Sequence, residues 1–415
     1  MATQLKRRAL VAAGALALTG LLSALAPSPA DARTRPQLPA PTGPYAVGTT
    51  TRHLVDTGRK DPWKPERGDR EVMVSLFYPA DRGNSKVAPQ MDGLSAAHFG
   101  SDRGAGVVNY GVKAGAADWA ATRTHARVDV PVARGSHGLP VVLYSSGLGD
   151  PRTWNTGLVE ELASRGYVVA TVDHTYDSSE VRFPDGRLAE TVLPTLAGAP
   201  VSKIDAALRT AVGARVDDSR FVLDTLGDAT WRQGLPRGLG QALDLGRVGM
   251  AGQSAGGFTA AQTMHDDRRV KAGINMDGQL DFPLPDASGE NLSTVAREGV
   301  DRPFLLLGSG GAGAADNRPS WTAFRQHTRG WQAQWTMTGS EHGAYTDAPS
   351  LLPAFAGRGA LTAEQLRKDI GSVPPGRAVA AERAYVVSFF DRFLKGRDDH
   401  LLDGPSARFP EMTRN

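Results

Sequence analysis

The chain has no cysteine among its 415 residues. Disulfide staples, a thiolate nucleophile and thiolate metal ligands are therefore excluded. It also lacks an excess of either charge, since 47 Lys and Arg stand against 44 Asp and Glu, a formal net of +3. Such a balance gives no electrostatic argument for nucleic acid or an anionic membrane as partner. A third absence is that of long hydrophobic runs: beyond the first segment, no stretch is apolar enough to span a bilayer. A soluble chain without stable membrane insertion is expected, and some 380 residues suffice to bury a core without disulfides.

The first segment is the exception. Lys6, Arg7 and Arg8 precede an apolar stretch from Ala9 to Ala26, and Ala30-Asp31-Ala32 offers an A-x-A cleavage site. This is the pattern of an export signal over residues 1–32. The stretch is nearly long enough to anchor a protein in a membrane, but its small residues and the A-x-A site favour cleavage after Ala32. The pair Arg7-Arg8 also permits twin-arginine export, so a secreted protein is expected by either the Sec or the twin-arginine route. The segment carries three basic residues and one acidic residue, and its removal takes the formal charge from +3 to +1.

What the chain does have is Val248-Gly249-Met250-Ala251-Gly252-Gln253-Ser254-Ala255-Gly256-Gly257-Phe258-Thr259-Ala260-Ala261. An apolar run ends in G-x-S-x-G and continues into small, helix-compatible residues. This is how a strand, a tight turn and a helix read when a serine is forced out at the apex. Gly252 and Gly256 let strand and helix approach closely, so Ser254 is the candidate nucleophile. The competing reading is a structural turn that happens to hold a serine.

The organisation around this motif is that of an α/β domain. Residues 33–44, with four prolines, read as an exposed linker. Thr51–Asp56 and the alternating stretch Glu71–Tyr78 read as strands near a sheet edge with one wet face. Leu139–Tyr144 and Tyr167–Val172 are unbroken apolar runs flanking a helix that carries Trp154, Leu158 and Leu162 and stops at Gly166. They make a βαβ unit and hence a parallel sheet. Further parallel strands are predicted at Val248–Ala251, Val270–Asn275, Phe304–Leu307 and Trp335–Met337. A last helix near Arg377–Lys395 carries a core stripe of Val386, Phe389, Phe390 and Phe393. Residues 175–240 break the rhythm with a hairpin near Val181–Arg187 and a helix from Val201 to about Leu226. They are read as a cap insertion, placed where substrate selection resides in such sheets. One domain over 45–400 and a tail over 401–415 complete the expectation: a mostly parallel central sheet with helices on both faces.

A serine hydroxyl needs a base, and the base needs a carboxylate. In this sheet class the chain order is Ser, acid, His. Of the later histidines, His265 lies three turns along the elbow helix, His327 on a polar helix and His400 in the charged tail. His342 follows the last predicted strand in Gly339-Ser340-Glu341-His342-Gly343 and is the candidate base. For the acid, Asp277 ends the strand after the elbow helix; Asp316 after the following strand is its competitor, and Asp281 is a third choice. The bland reading of Asp277 is a cap. Two amides are needed for an oxyanion hole, one from Ala255 and one from the loop Gly147-Leu148-Gly149, where glycines let the Leu148 amide turn.

These blocks, in this order, resemble the platelet-activating factor acetylhydrolases of the plasma and intracellular type II group and their bacterial relatives. The likeness rests on Val141–Gly149, Gly252–Gly257, Met276-Asp277-Gly278 and Gly339–His342. It extends to Tyr45–Gly48, Arg70–Val74, Tyr78–Ala80 and Val172–Asp177, so that it covers most of residues 45–395. The resemblance implies an α/β-hydrolase fold, no metal or other cofactor, and hydrolysis of short or oxidised acyl esters on a small-molecule or lipid substrate. It places the acid at Asp277 and not Asp316, and assigns the oxyanion amides to Leu148 and Ala255. The chain departs from that family at Ser146, where a histidine is usual, and in having no clear apolar–basic surface helix. Lipases and cutinase-like polyesterases share the same elbow, and an acyltransferase would share the same triad. A catalytically silent binding module is the remaining alternative.

Overall fold

The computed structural model describes residues 34–285, 291–311 and 319–415. Among them the strands are β1 (Ala46–Lys60), β2 (Asp69–Ala80), β3 (Val87–Pro89), β4 (Arg123–Val128), β5 (Leu139–Ser145), β6 (Val168–His174), β7 (Glu180–Arg182), β8 (Leu188–Glu190), β9 (Leu243–Gln253), β10 (Val270–Met276), β11 (Phe304–Ser309), β12 (Gln332–Met337) and β13 (Met412–Arg414). Eleven of these described strands form one sheet in the order β13-β12-β11-β10-β9-β5-β6-β2-β1-β4-β3, and β7 pairs with β8 in a separate hairpin. From β6 through β5, β9, β10 and β11 to β12 all neighbours are parallel. β2 is antiparallel to both β6 and β1.

The unbroken apolar runs have a simple cause. In β5, Val141 and Leu143 join one core while Val142 and Tyr144 join the other. β11 divides Phe304 and Leu306 from Leu305 and Leu307 in the same way. The side chains alternate with period two, but both phases are apolar because helices cover both faces. One face is closed by helices Val201–Gly227, Ala255–Asp266 and Pro319–His327, the other by Thr156–Ser164 and Pro375–Lys395. The last helix buries Val386, Phe389 and Phe390 completely, each worth roughly 1.5–3 kcal/mol. It ends where Gly396, at φ 64°, returns its N–H to the Asp391 carbonyl, a left-handed cap that favours glycine.

Four expectations are corrected. Residues 34–44 are no free linker. Leu38 is buried with Phe99 and Trp119, and the Pro39 and Ala40 carbonyls accept from Arg383 at 3.0 and 2.9 Å. A proline-rich segment offers few N–H groups, but its carbonyls can still dock. Nor are residues 401–415 a tail, because β13 pairs antiparallel with β12 and covers that edge of the sheet. The third correction concerns β2, which has no wet face: it lies between β1 and β6 and is buried from Val72 to Ala80. Its alternating polar letters include Ser75, which is buried among hydrogen bonds to Thr51 and Arg152. Finally, the stretch 175–240 is only partly an appendage. The helix Val201–Gly227 is exposed or half-buried over its first ten residues apart from Asp205, but from Ala211 onward Val212, Val216, Val222 and Leu223 form part of the sheet's core. No helix among the described residues is long and apolar enough to cross a membrane.

Candidate active site

β5 lies between β6 and β9, so the chain leaves β5 to one side and later returns on the other. Ligands bind at such a switch point, outside the carboxyl ends of the strands. Ser145 at the end of β5 is paired with Gly252 near the end of β9. The loop Ser146–Gly149 therefore faces the turn that carries Ser254.

That turn is sterically forced. Ser254 sits at φ 56°, ψ −124°, a conformation costing a non-glycine residue of order 1–3 kcal/mol. Its N–H donates to the Met276 carbonyl at 2.8 Å, and its carbonyl accepts from Phe258 at 3.1 Å as the helix begins. A Cβ on Gly252 would stand 2.2 Å from the Gly256 backbone, and one on Gly256 would stand 1.9 Å from the Ser145 carbonyl oxygen. Both positions require glycine.

Asp277 follows β10 at φ 61° and is almost fully buried. Its N–H donates to the Leu307 carbonyl at 2.8 Å. One carboxylate oxygen accepts from the Ser309 N–H at 2.9 Å, and the Ser309 hydroxyl lies 3.0–3.1 Å from both oxygens. The other oxygen lies 2.6 Å from Nδ1 of His342. His342 opens a 3-10 turn, His342–Tyr345, after β12, and its carbonyl accepts from the Gln253 amide at 3.1 Å. Its Nε2 has no protein partner among the described residues. Ser254, His342, Leu148 and Asp150 line one cleft of about 460 Å³.

The rejected histidines are engaged elsewhere. His265 bonds Asp266 and Glu298, His327 bonds the Ala323 carbonyl, and His400 bonds Asp403. Asp281 forms a backbone bridge with Leu292, and Asp316 lies outside the described residues. The one group of metal-type ligands among the described residues, Asp398, His400 and Asp403, is exposed, and Arg392 pairs with both of its carboxylates.

Sequence reasoning missed what stands behind the loop after β5. The N–H groups of Leu148 and Ala255 have no protein partner among the described residues; Ala255 is at a helix N-terminus, where amides are left over. Arg215, fully buried, bonds Asp177 and the carbonyls of Ser146 and Gly147. Ser145 Oγ touches His174 Nε2 at 2.9 Å, and His174 Nδ1 touches Asp218 at 3.0 Å. Burial depresses the His174 pKa, leaving a neutral ring that accepts from Ser145. Burial would raise the Asp218 carboxyl, but the Arg70 guanidinium and the His174 bond outweigh it and hold it far below the usual range. Asp150, also in the cleft, is pushed up to about 6 by burial against the donors Tyr110 and Asn109. Asp177 and His174 belong to the stretch that carries the family likeness; nothing local marks Arg215, Asp150 or Tyr110.

Comparison with known proteins accords with this architecture. The family model described as "Platelet-activating factor acetylhydrolase, isoform II" matches residues 31–184. A protein of Arthroderma benhamiae, described as "Probable 1-alkyl-2-acetylglycerophosphocholine esterase", is 27% identical over 394 residues, 90% of this chain and 92% of that one. The platelet-activating factor acetylhydrolase of Cavia porcellus is 27% identical over 184 residues, 41% of this chain and 40% of its own. A solved ferulic acid esterase from Streptomyces cinnamoneus superposes with a TM-score of 0.73 at 36% identity, covering 91% of this chain and 99% of the other. The protein is thus a carboxylic ester hydrolase of the α/β-hydrolase fold. Within that class, its sequence is similar to the platelet-activating factor acetylhydrolases.

Proposed function

We propose that the protein hydrolyses short-acyl carboxylic esters through an acyl-enzyme on Ser254. Ser254 attacks the ester carbonyl while Nε2 of His342 takes its proton. Asp277 holds the Nδ1–H tautomer and stabilises the imidazolium that forms. The amides of Leu148 and Ala255 receive the oxyanion. His342 then protonates the leaving alcohol, and the same ring activates a water that releases the acid. The observation that carries this reading is the 2.6 Å bond between Asp277 and His342 at the cleft that Ser254 also lines.

The cleft is lined largely by polar groups, Asn109, Tyr110, Asp150, Gln253, Lys368 and Asp369 among them. That lining suits a short acyl group with a polar alcohol better than a long chain. With the similarity to the acetylhydrolases, it favours a short-acyl or oxidised phospholipid as substrate. A second reading, an ester of a hydroxycinnamic acid, is favoured by the 36% identity to the ferulic acid esterase. We also propose that residues 1–32 direct export, by the Sec or twin-arginine route.

Ser254→Ala is expected to abolish p-nitrophenyl butyrate turnover with an unchanged melting temperature. Undiminished turnover in that variant removes the proposal. Rates on acyl esters of two to sixteen carbons, a 1-alkyl-2-acetyl phospholipid, a polyester film and methyl ferulate decide the substrate class. Product analysis in water–alcohol mixtures separates hydrolysis from acyl transfer.

A further inference from the structure

We infer that Arg215 is a positioning residue of the ester-cleaving site, clamping the loop after β5 from behind so that the Leu148 N–H faces the cleft. This rests on the proposed function, because it assigns a task to an oxyanion donor.

A guanidinium has five N–H donors, and all five of Arg215 are used. Nε and Nη2 meet the two oxygens of Asp177 at 2.6 and 2.7 Å. Nη1 donates to Ser145 Oγ at 3.1 Å and to the Ser146 carbonyl at 2.6 Å, and Nη2 also donates to the Gly147 carbonyl at 3.0 Å. An arginine that served only as an ion-pair partner would be satisfied by Asp177. Here the remaining donors fall on three consecutive residues, the three immediately before Leu148.

The geometry of the peptide unit turns this contact into an orientation. The Gly147 C=O and the Leu148 N–H belong to one planar trans peptide and point in opposite directions. Fixing the carbonyl on Arg215 therefore fixes the N–H on the side away from Arg215. Asp177 acts on the next peptide, since one of its oxygens lies 3.4 Å from the Gly149 N–H. The pair thus grips both peptide units that flank the Leu148 Cα. Gly147 lies beside the nucleophile: a Cβ placed on it would be 3.6 Å from the Ser254 Cβ. A charged donor on a carbonyl also polarises its amide, which strengthens the N–H at the other end. A buried ion pair contributes little net stability compared with apolar packing. Its arrangement here has a different consequence, since it prevents the loop from rotating its carbonyl into the cleft.

The test is Arg215→Lys, which keeps the charge and most of the volume but cannot reach Asp177 and two carbonyls together. The expected result is a fall in kcat of about 10- to 100-fold, short of the loss of about 10²–10³ on removing an oxyanion donor outright, with KM nearly unchanged. The second readout compares an ester with its thiono analogue, whose sulfur accepts hydrogen bonds poorly. The preference for the oxygen ester should shrink toward one in Arg215→Lys, which a merely structural role would not produce. Circular dichroism and the melting temperature come first. Should Arg215→Lys not fold, Asp177→Asn, which keeps size and weakens the grip, carries the same expectation on a smaller scale. A folded variant that retains both kcat and the full oxygen preference overturns the inference. Ser254→Ala in parallel separates the two failures. Activity in Ser254→Ala sinks the proposed function itself, whereas an inactive Ser254→Ala beside an unaffected Arg215→Lys sinks only the role of Arg215.

Discussion

The turn Gly252–Gly257 and the loop Ser145–Asp150 leave neighbouring strands, β9 and β5, and meet across one cleft. They are held by opposite means. The turn is held by contact: two glycines leave no room for a Cβ, and the serine between them takes a strained backbone because everything around it is packed. The loop is held by polar side chains from elsewhere. Arg215 stands some 70 positions further along the chain, Tyr110 and Asn109 some 40 positions earlier, and the Ser146 hydroxyl closes the loop on the Asp150 carbonyl at 2.8 Å. One half of the site is built by short-range sterics, the other by long-range hydrogen bonds.

The comparison predicts different failures. The largest effect is expected on the turn. In Gly256→Ala the new methyl meets a backbone oxygen at 1.9 Å, and backbone cannot step aside as a flexible side chain can. The expected cost is about 3 kcal/mol, with ester turnover reduced by more than about 100-fold because the nucleophile and the Ala255 amide shift together. Urea denaturation and p-nitrophenyl butyrate kinetics measure both. A Gly256→Ala protein with near-normal stability and rate would show that the turn is not held by contact, and the contrast would fail. The loop should respond otherwise: Arg215→Lys is expected to lose rate while the turn keeps its geometry.

The same contrast explains what could be read in the sequence. The central strands were legible because helices cover both faces and every position became apolar. The turn was legible because a steric rule leaves glycines at fixed offsets from Ser254. His342 followed from a strand end; strand ends offered both Asp277 and Asp316, the resemblance preferred Asp277, and the structure brings Asp277 and His342 to 2.6 Å. Arg215 left no such trace, because a guanidinium on a helix reads as a solvated charge until the fold puts it at full burial. The edges were misread for a related reason. Leu38 stands among prolines and Met412 between Glu411 and Thr413, and only tertiary packing makes the segments around them part of the domain.

A smaller effect is expected at the carboxylate, which combines both means. Asp277 sits in a strained backbone conformation like Ser254, but it is also held by Ser309. Ser309→Ala removes the hydroxyl donor and keeps the 2.9 Å backbone N–H bond. A hydrogen bond to a charged group contributes about 1.5–3 kcal/mol, and part of it is spared by the second donor. A fall in kcat of about 5- to 10-fold with unchanged KM is expected. A loss as large as that of Ser254→Ala would mean that Asp277 depends on Ser309 alone and that the strained backbone contributes nothing to its aim.

The smallest effect concerns the polar side at its far end, beneath β5. The Asn155 amide donates to the Tyr144 hydroxyl at 2.6 Å and to Glu382 at 3.3 Å. Burial raises the Glu382 pKa to about 8; the Asn155 bond opposes the shift and the neighbouring Asp347 adds to it. A carboxyl whose pKa is higher folded than unfolded favours the folded state fully below its unfolded pKa, near 4.3. That contribution is lost as pH rises through about 8, because the buried group must then ionise. Glu382→Gln keeps the size and the acceptor oxygen but never ionises. Its melting temperature should match the unmodified protein at pH 4 and exceed it at pH 9 by a few degrees. Turnover at pH 7 should change little, since Glu382 does not itself line the cleft. Melting curves that stay superimposed from pH 4 to pH 9 would mean that Glu382 is ionised in the folded protein at neutral pH. The polar side of the site would then be as insensitive to pH as the sterically held turn.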